Sequence, residues 1–223
     1  MERCLIVFAK EPQKGRVKTR LRSILSDAVC LRLYKAFLQD TVELVQRVKC
    51  EERVIAYDSA KGLPQYLKTI APGFNFYRQE GRDLGQKMHN AFRYAQKMKA
   101  ERTVIIGSDS PDLPADYITE AFRKMDEGDV VLGPCRDGGY YLIGLKYPCE
   151  TLFRGIKWSS GDVSRATLKK ARDVKKKVVF LKKWYDIDTP ESLACLVSHL
   201  KNRSAAPYTR RVLKCMNLKA IIP

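Results

Sequence analysis

Histidine is nearly missing from this chain, with two residues, His89 and His199, among 223. An imidazole-built zinc site or a Ser-His-Asp triad is therefore poorly supplied. The seven cysteines are scattered and include no CxxC pair. An odd, dispersed set reads as reduced thiols of a cytoplasmic protein, not a disulfide frame. Long apolar runs are also lacking. The first, Leu5 to Ala9, is five residues and leads straight into charges. That is short for a secretory segment and far short of a bilayer span. Acidic residues are in deficit, 25 against 42 Lys and Arg, for a net charge of +17. Such an excess predicts an anionic partner: nucleotide phosphates, nucleic acid or an acidic membrane surface.

What is present is globular, with 45% hydrophobic and 30% charged residues and no linker-like stretch. Residues 1–201 read as one domain, and 202–223, with five basic residues and no acidic one, as a basic appendage. Apolar runs alternate with helical patterns. Strands are predicted over 4–9, 53–57, 74–79, 103–107, 129–134, 140–145 and 178–185. Helices are predicted over about 23–49, 64–69, 84–98, from Pro114, 162–172 after Ser159-Ser160-Gly161, and 190–201. Strands interleaved with helices imply a mostly parallel α/β sheet covered on both faces. Asp137-Gly138 between two strands adds a β-hairpin insertion.

In a doubly wound sheet ligands gather beyond the carboxyl ends of the strands. The first strand ends in Lys10, Lys14, Gly15, Arg16, Lys18 and Arg20. From position 10 to 22 there are six basic residues and one acidic one, a density that asks for an anion. Gly15 would let the backbone approach a phosphate, while Lys and Arg supply charge and paired hydrogen bonds. The Walker pattern GxxxxGK[ST] is absent. The strand at 103–107 releases Asp109, and the last strand releases Asp186 and Asp188. Phosphate chemistry uses Mg²⁺ (or Mn²⁺) held by one or two carboxylates plus phosphate oxygens and water, which makes Asp109, Asp186 and Asp188 the candidate metal ligands. Asp188 and Glu191 also have capping-box spacing, with Pro190 early in the helix. Asp137 is either a turn residue or a carboxylate facing an acceptor. Trp158 reads as core or as a stacking wall, and His89 as structural.

FAKEPQKGRVKTRL, GRDLGQKM, IIGSDSPDLP, VLGPCRDGGYYLIGL, IKWSSGDV and YDIDTPESL occur in this order. Together they resemble a bacterial domain-of-unknown-function family labelled glycosyltransferase, also described as a radical-SAM/selenodomain-associated transferase. The resemblance covers roughly residues 3–200. That family is similar to the nucleotide-diphospho-sugar transferases, which implies the GT-A fold, Rossmann-like with helices on both faces. The stretch Lys18-Thr19-Arg20-Leu21 looks like the phosphate loop of 2-phospho-L-lactate guanylyltransferase. Asp109 matches the strand-end metal aspartate of such folds. Asp186 and Asp188 match the second acidic pair of molybdenum-cofactor nucleotidyltransferase relatives. The glycine-rich LAGGxGxRM loop of standard sugar nucleotidyltransferases is missing, and the DxD pattern appears only late, as Asp186-Ile187-Asp188.

The resemblance implies an enzyme, a Mg²⁺-dependent transferase with a nucleotide or nucleotide-sugar donor and a small-molecule acceptor. Glycosyl transfer leads, following the family label. Nucleotidyl transfer with pyrophosphate release is the alternative, and a nucleic-acid-binding protein the remote one. Asp109, Asp137 and Lys18 are the catalytic candidates, with Asp137 as base in the glycosyl version. Lys10, Gly15, Arg16, Lys18, Arg20, Gly81, Asp83 and Gly85 are the nucleotide-binding candidates.

Overall fold

The computed structural model describes residues 2–158 and 160–216; Ser159, placed above before the helix at 162–172, and the last part of the 202–223 segment lie outside the described residues. Among the described residues seven strands form one sheet: β1 Arg3–Lys10, β2 Glu52–Asp58, β3 Asn75–Arg78, β4 Arg102–Gly107, β5 Val130–Pro134, β6 Tyr140–Leu145 and β7 Val178–Phe180. Their order across the sheet is β3-β2-β1-β4-β6-β5-β7. Strand β6 alone runs against both its neighbours, β4 and β5, while the other pairings are parallel. The expected hairpin therefore exists, but it is no insertion. Strand β6 sits inside the sheet between β4 and β5, and its apolar run YYLIGL is buried from Tyr141 on.

Among the described residues seven α-helices complete the fold: α1 Asp27–Gln46, α2 Gln65–Ile70, α3 Leu84–Lys97, α4 Ala115–Lys124, α5 Val163–Asp173, α6 Pro190–Lys201 and α7 Pro207–Lys214. The two-residue period of a strand sends alternate side chains to opposite faces. Along β1, Leu5, Val7 and Ala9 join one core with Phe37 of α1, Phe122 of α4 and Leu196 of α6. Cys4 and Ile6 join the other, with Met88 and Phe92 of α3 and Ala171 of α5. Burial on both faces is why β1 and β4 read as unbroken apolar runs.

Four elements differ from expectation. The helix expected from 23 begins at Asp27, capped by Ser26, and a separate 3₁₀ turn covers Thr19–Ser23. Pro114 caps α4 and does not belong to its first turn. The last strand stops at Phe180, and 181–185 continues as extended chain with one bridge, Trp184 to Cys135. The basic appendage contains α7, which packs its Leu213 into the core alongside α1. The Asp40 carboxylate of α1 accepts hydrogen bonds from the α7 backbone N–H groups of Tyr208 (2.9 Å) and Thr209 (2.8 Å). A carboxylate there meets otherwise unpaired donors at the positive end of the helix. Among the described residues, no helix is long and apolar enough to cross a membrane.

Candidate active site

The carboxyl ends of β1, β2, β3 and β4 open into one cleft of about 630 Å³. Lys10, Arg16, Lys18 and Arg20 line it from the β1 side, Asp109 from the β4 end, and Asp186 and Asp188 from the segment before α6. Residues from loops distant in sequence thus converge where the topology predicts.

Lys18 is the joint of this site. Its ammonium donates to Asp109 Oδ1 at 2.5 Å, to the carbonyl of Ile187 at 2.6 Å and to Asp188 Oδ1 at 3.1 Å. It also lies 5.1 Å from the centre of the Phe37 ring. Its side chain is 2% exposed, whereas those of Asp109 and Asp188 are 40% and 46% exposed. The two carboxylates therefore face the cleft with the ammonium behind them. Burial works against the charged ammonium, but Asp109 and Asp188 outweigh it and hold Lys18 above its ordinary value. Burial would likewise raise Asp188, yet Lys18, then Arg20 and Lys10, hold it below the usual carboxylate range. Lys18 adopts left-handed backbone angles, φ 50° and ψ 40°. A non-glycine residue there costs about 1–2 kcal/mol, and it persists because the ammonium's bonds fix it.

The loops around Lys18 are pinned by backbone. The Ile187 N–H donates to the Asp109 carbonyl at 2.9 Å, and the Glu11 N–H to the Asp58 carbonyl at 3.0 Å. The buried Tyr34 hydroxyl accepts from the Lys10 N–H at 2.8 Å and lies 3.3 Å from Ser108 Oγ.

The other expected site residues divide. Gly15 is in the left-handed region (φ +78°), and its carbonyl accepts from Arg22, which is also paired with Asp27 at 2.7 Å. Gly15 is absent from the cleft lining, and its left-handed angles turn the loop that carries Arg16 and Lys18 into it. Asp186 lines the cleft, but its oxygens accept from Ser110 Oγ (2.7 Å) and Cys135 Sγ (3.3 Å). Burial and the nearby Asp109 push its pKa up to about 6. Among the described residues no three His, Cys, Asp or Glu side chains are placed to share one ion. Of the three candidate metal ligands, Asp186 is turned to Ser110 and Cys135, while the Lys18 ammonium bridges Asp109 and Asp188. Asp109 and Asp188 alone still match the one or two carboxylates that Mg²⁺ uses beside phosphate and water.

Asp137 does not reach the cleft. It is exposed in the β5–β6 turn, and its Oδ1 accepts from the Gly139 N–H at 2.9 Å. Gly81, Asp83 and Gly85 are also outside the lining. Asp83 caps α3 by accepting from the Gln86 N–H at 2.8 Å. A Cβ on Gly85 would lie 2.6 Å from Trp158 and 2.8 Å from the Phe153 carbonyl, so this glycine lets helix and ring meet. Trp158 accordingly packs on the second core. From the same segment, Leu84, Lys87 and Met88 reach the cleft instead. Lys87 pairs with Asp58 at 2.8 Å, and Gln79 donates its side-chain amide to the Ala56 carbonyl at 2.7 Å. Sequence reasoning missed Asp58, Gln79, Lys87 and Tyr34. Applying the strand-end rule to β2 and β3 would have found the first two.

This sheet order, with its single reversed strand and its cleft over the β1 and β4 ends, is the nucleotide-diphospho-sugar transferase fold. The chain belongs to the bacterial family described as "Uncharacterized protein conserved in bacteria (DUF2064)", whose profile matches residues 41–160. That match leaves out the Lys18 loop and Asp188, but a solved relative spans both. It is a Desulfovibrio desulfuricans G20 protein provisionally described as a nucleotide-diphospho-sugar transferase. It is 34% identical, with a TM-score of 0.91 over 99% of this chain and 97% of its own. More distant structures share the fold. A 4-diphosphocytidyl-2C-methyl-D-erythritol synthase from Anaerococcus prevotii DSM 20548 gives a TM-score of 0.62 at 14% identity, over 90% of this chain and 96% of its own. A CMP:2-keto-3-deoxy-manno-octonic acid synthetase complexed with CTP gives 0.58 at 10% identity, over 90% and 99%. No curated protein matches the chain.

Proposed function

We propose that the chain is a nucleotidyltransferase, which joins a nucleoside triphosphate to a small phosphorylated acceptor and releases pyrophosphate. The observation that carries this reading is the convergence of Lys10, Arg16, Lys18 and Arg20 on one cleft wall facing Asp109 and Asp188. Four cations from one loop suit a polyphosphate better than a single phosphate.

Lys10, Arg16 and Arg20 would hold the β- and γ-phosphates, and Lys18 would reach them from behind. An acceptor phosphate oxygen attacks the α-phosphorus. The new P–O bond forms as the bond to the β-phosphate bridging oxygen breaks, and the electron pair leaves with pyrophosphate. The basic loop stabilises that leaving charge, and the pinned backbone supplies orientation. A Mg²⁺ ion held by Asp109 and Asp188 would add charge neutralisation on the phosphates. An acceptor phosphate is already anionic and needs no base. The glycosyl version does need one for its hydroxyl, and Asp137, its candidate, sits outside the cleft lining, where it accepts the Gly139 N–H in the turn.

Glycosyl transfer from a nucleotide-sugar remains the second reading, favoured by the description of the 34%-identical relative. Incubation with nucleoside triphosphates and a set of sugar phosphates, and separately with nucleotide-sugars, divides the two. Pyrophosphate release is expected. Release of nucleoside diphosphate from a nucleotide-sugar would overturn the nucleotidyl assignment. The +17 charge also motivates a titration against nucleic acid, where retention only at low salt is expected of a solvated basic face.

A further inference from the structure

The placement of Lys18 implies an order of binding. We infer that the Lys18 ammonium is a resident counter-cation that keeps divalent metal off Asp109 and Asp188, so that metal enters only with or after the nucleotide. This deepens the nucleotide-binding reading above and rests on it.

One ammonium contacts both carboxylates, at 2.5 and 3.1 Å. It is held there by a third bond to the Ile187 carbonyl at 2.6 Å and lies over the face of the Phe37 ring, 5.1 Å from its centre. With its side chain 2% exposed, little water screens it. A divalent ion arriving at the same two carboxylates meets a positive charge already within contact distance of both. The carboxylates' attraction is then partly spent, and like-charge repulsion in a weakly screened site opposes the second cation.

A nucleotide changes that balance. The flanking cations Lys10, Arg16 and Arg20 are exposed on the same cleft wall, so a polyphosphate can dock there without displacing anything buried. Its oxygens then offer the Lys18 ammonium an alternative anion. Lysine is a point charge on a four-carbon flexible stem, able to pivot between neighbouring anions where arginine's rigid fork would not. As Lys18 turns to the phosphate, Asp109 and Asp188 lose their cation and become a carboxylate pair open to the cleft, at 40% and 46% exposure. Lys18 is in this sense a positioning residue for the metal as well as a phosphate contact.

The test is direct binding of Mn²⁺ by electron paramagnetic resonance to wild type and Lys18→Met, both free of nucleotide. Methionine keeps the length of the stem and removes the charge. The expected result is tighter Mn²⁺ binding to Lys18→Met, on the order of tenfold or more. A lysine that only supports the fold would give the opposite change, since a loosened site binds metal less well. Equal Mn²⁺ affinity in the two proteins overturns the inference.

A second arm needs no variant. Thermal shift of wild type is measured with each of the four common nucleoside triphosphates in EDTA, with Mn²⁺ alone, and with both. A shift by nucleotide in EDTA, none by Mn²⁺ alone and a larger one by the two together are expected. A strong shift by Mn²⁺ alone overturns the inference even if Lys18→Met does not fold. If no nucleotide shifts the protein under any condition, the nucleotide reading itself fails, while the Mn²⁺ comparison still reports on Lys18.

Discussion

Two charged, glycine-containing segments begin the same way in this chain and end in different roles. Residues 10–20 leave β1 and deliver Lys10, Arg16, Lys18 and Arg20 to the cleft. Residues 81–85 leave the turn after β3 and deliver none of the polar groups first assigned to the site. Asp83 caps α3, and Gly85 closes against Trp158. The difference lies in what each charge meets. Lys18 finds two carboxylates and a carbonyl contributed by distant loops. Asp83 finds the unpaired N–H of its own helix, three residues on. A polar residue with a strong local partner is withdrawn from chemistry, and one whose partners are far away in sequence stays available for it.

The comparison breaks first at Asp109. Asp109→Asn keeps the volume but removes a charge from the pair around Lys18. Transfer is expected to fall about 10²- to 10³-fold in kcat, as when a preorganised electrostatic group is lost. Steady-state release of product at saturating donor checks this. A loss under threefold would place the chemistry elsewhere.

Gly85→Ala probes the other segment. Alanine is the better helix former, but its methyl would sit 2.6 Å from the Trp158 ring and 2.8 Å from the Phe153 carbonyl. Overpacking of this kind costs about 1–3 kcal/mol. Urea unfolding is expected to show that loss, with nucleotide affinity of the folded protein unchanged. Weakened binding at unchanged stability would return residues 81–85 to the site.

These cases show how far the residues alone could be read. The strands were legible because β1, β4 and β6 are buried on both faces and must be apolar throughout. The cleft's position followed from strand ends, and its basic wall from charge density after β1. Three things were not legible. The Asp137 turn and a rim carboxylate have the same sequence, since an aspartate bonds the N–H two residues on wherever the backbone allows. The split between Asp186 and Asp188 depends on Ser110 and Cys135, whose approach only the folded sheet defines. The docking of α7 depends on Asp40, buried in the middle of α1, where sequence suggests only a polar interruption.

Asp40 extends the contrast to an acid spent on structure, with a smaller effect. Burial is the largest influence on it and raises its pKa to about 6, against the hydrogen bonds from Thr209 and Tyr208. A raised carboxyl favours the protonated form in the folded state. Its stabilising share is fully present below the ordinary carboxylate range and is lost as pH rises through about 6. Wild type is therefore expected to lose on the order of 3 kcal/mol across that window from this group. Asp186 is shifted the same way, so the difference from Asp40→Asn isolates Asp40. Asparagine does not titrate, and it keeps an acceptor oxygen for one of the two α7 N–H groups. The wild-type denaturation midpoint should fall more steeply than the variant's as pH rises through about 6, so that the gap between the two changes across that window. Parallel curves would remove Asp40 as the cause.

The smallest effect is expected at Asp137, and it is the sharpest discriminator between reactions. Its carboxylate lies outside the cleft lining and accepts the Gly139 N–H. Asparagine makes the same turn bond through its amide oxygen. Asp137→Asn should therefore leave kcat and KM within about twofold of wild type, as expected of a residue that touches no reacting atom. A hydroxyl-activating base would behave otherwise, because general-base catalysis contributes about 10²- to 10⁴-fold. If Asp137→Asn lost rate on that scale while Asp109→Asn also did, the turn would have to swing its carboxylate over the cleft with substrate bound. The reaction would then be transfer to a hydroxyl, and the distinction drawn between polar groups with local and distant partners would fail at this turn.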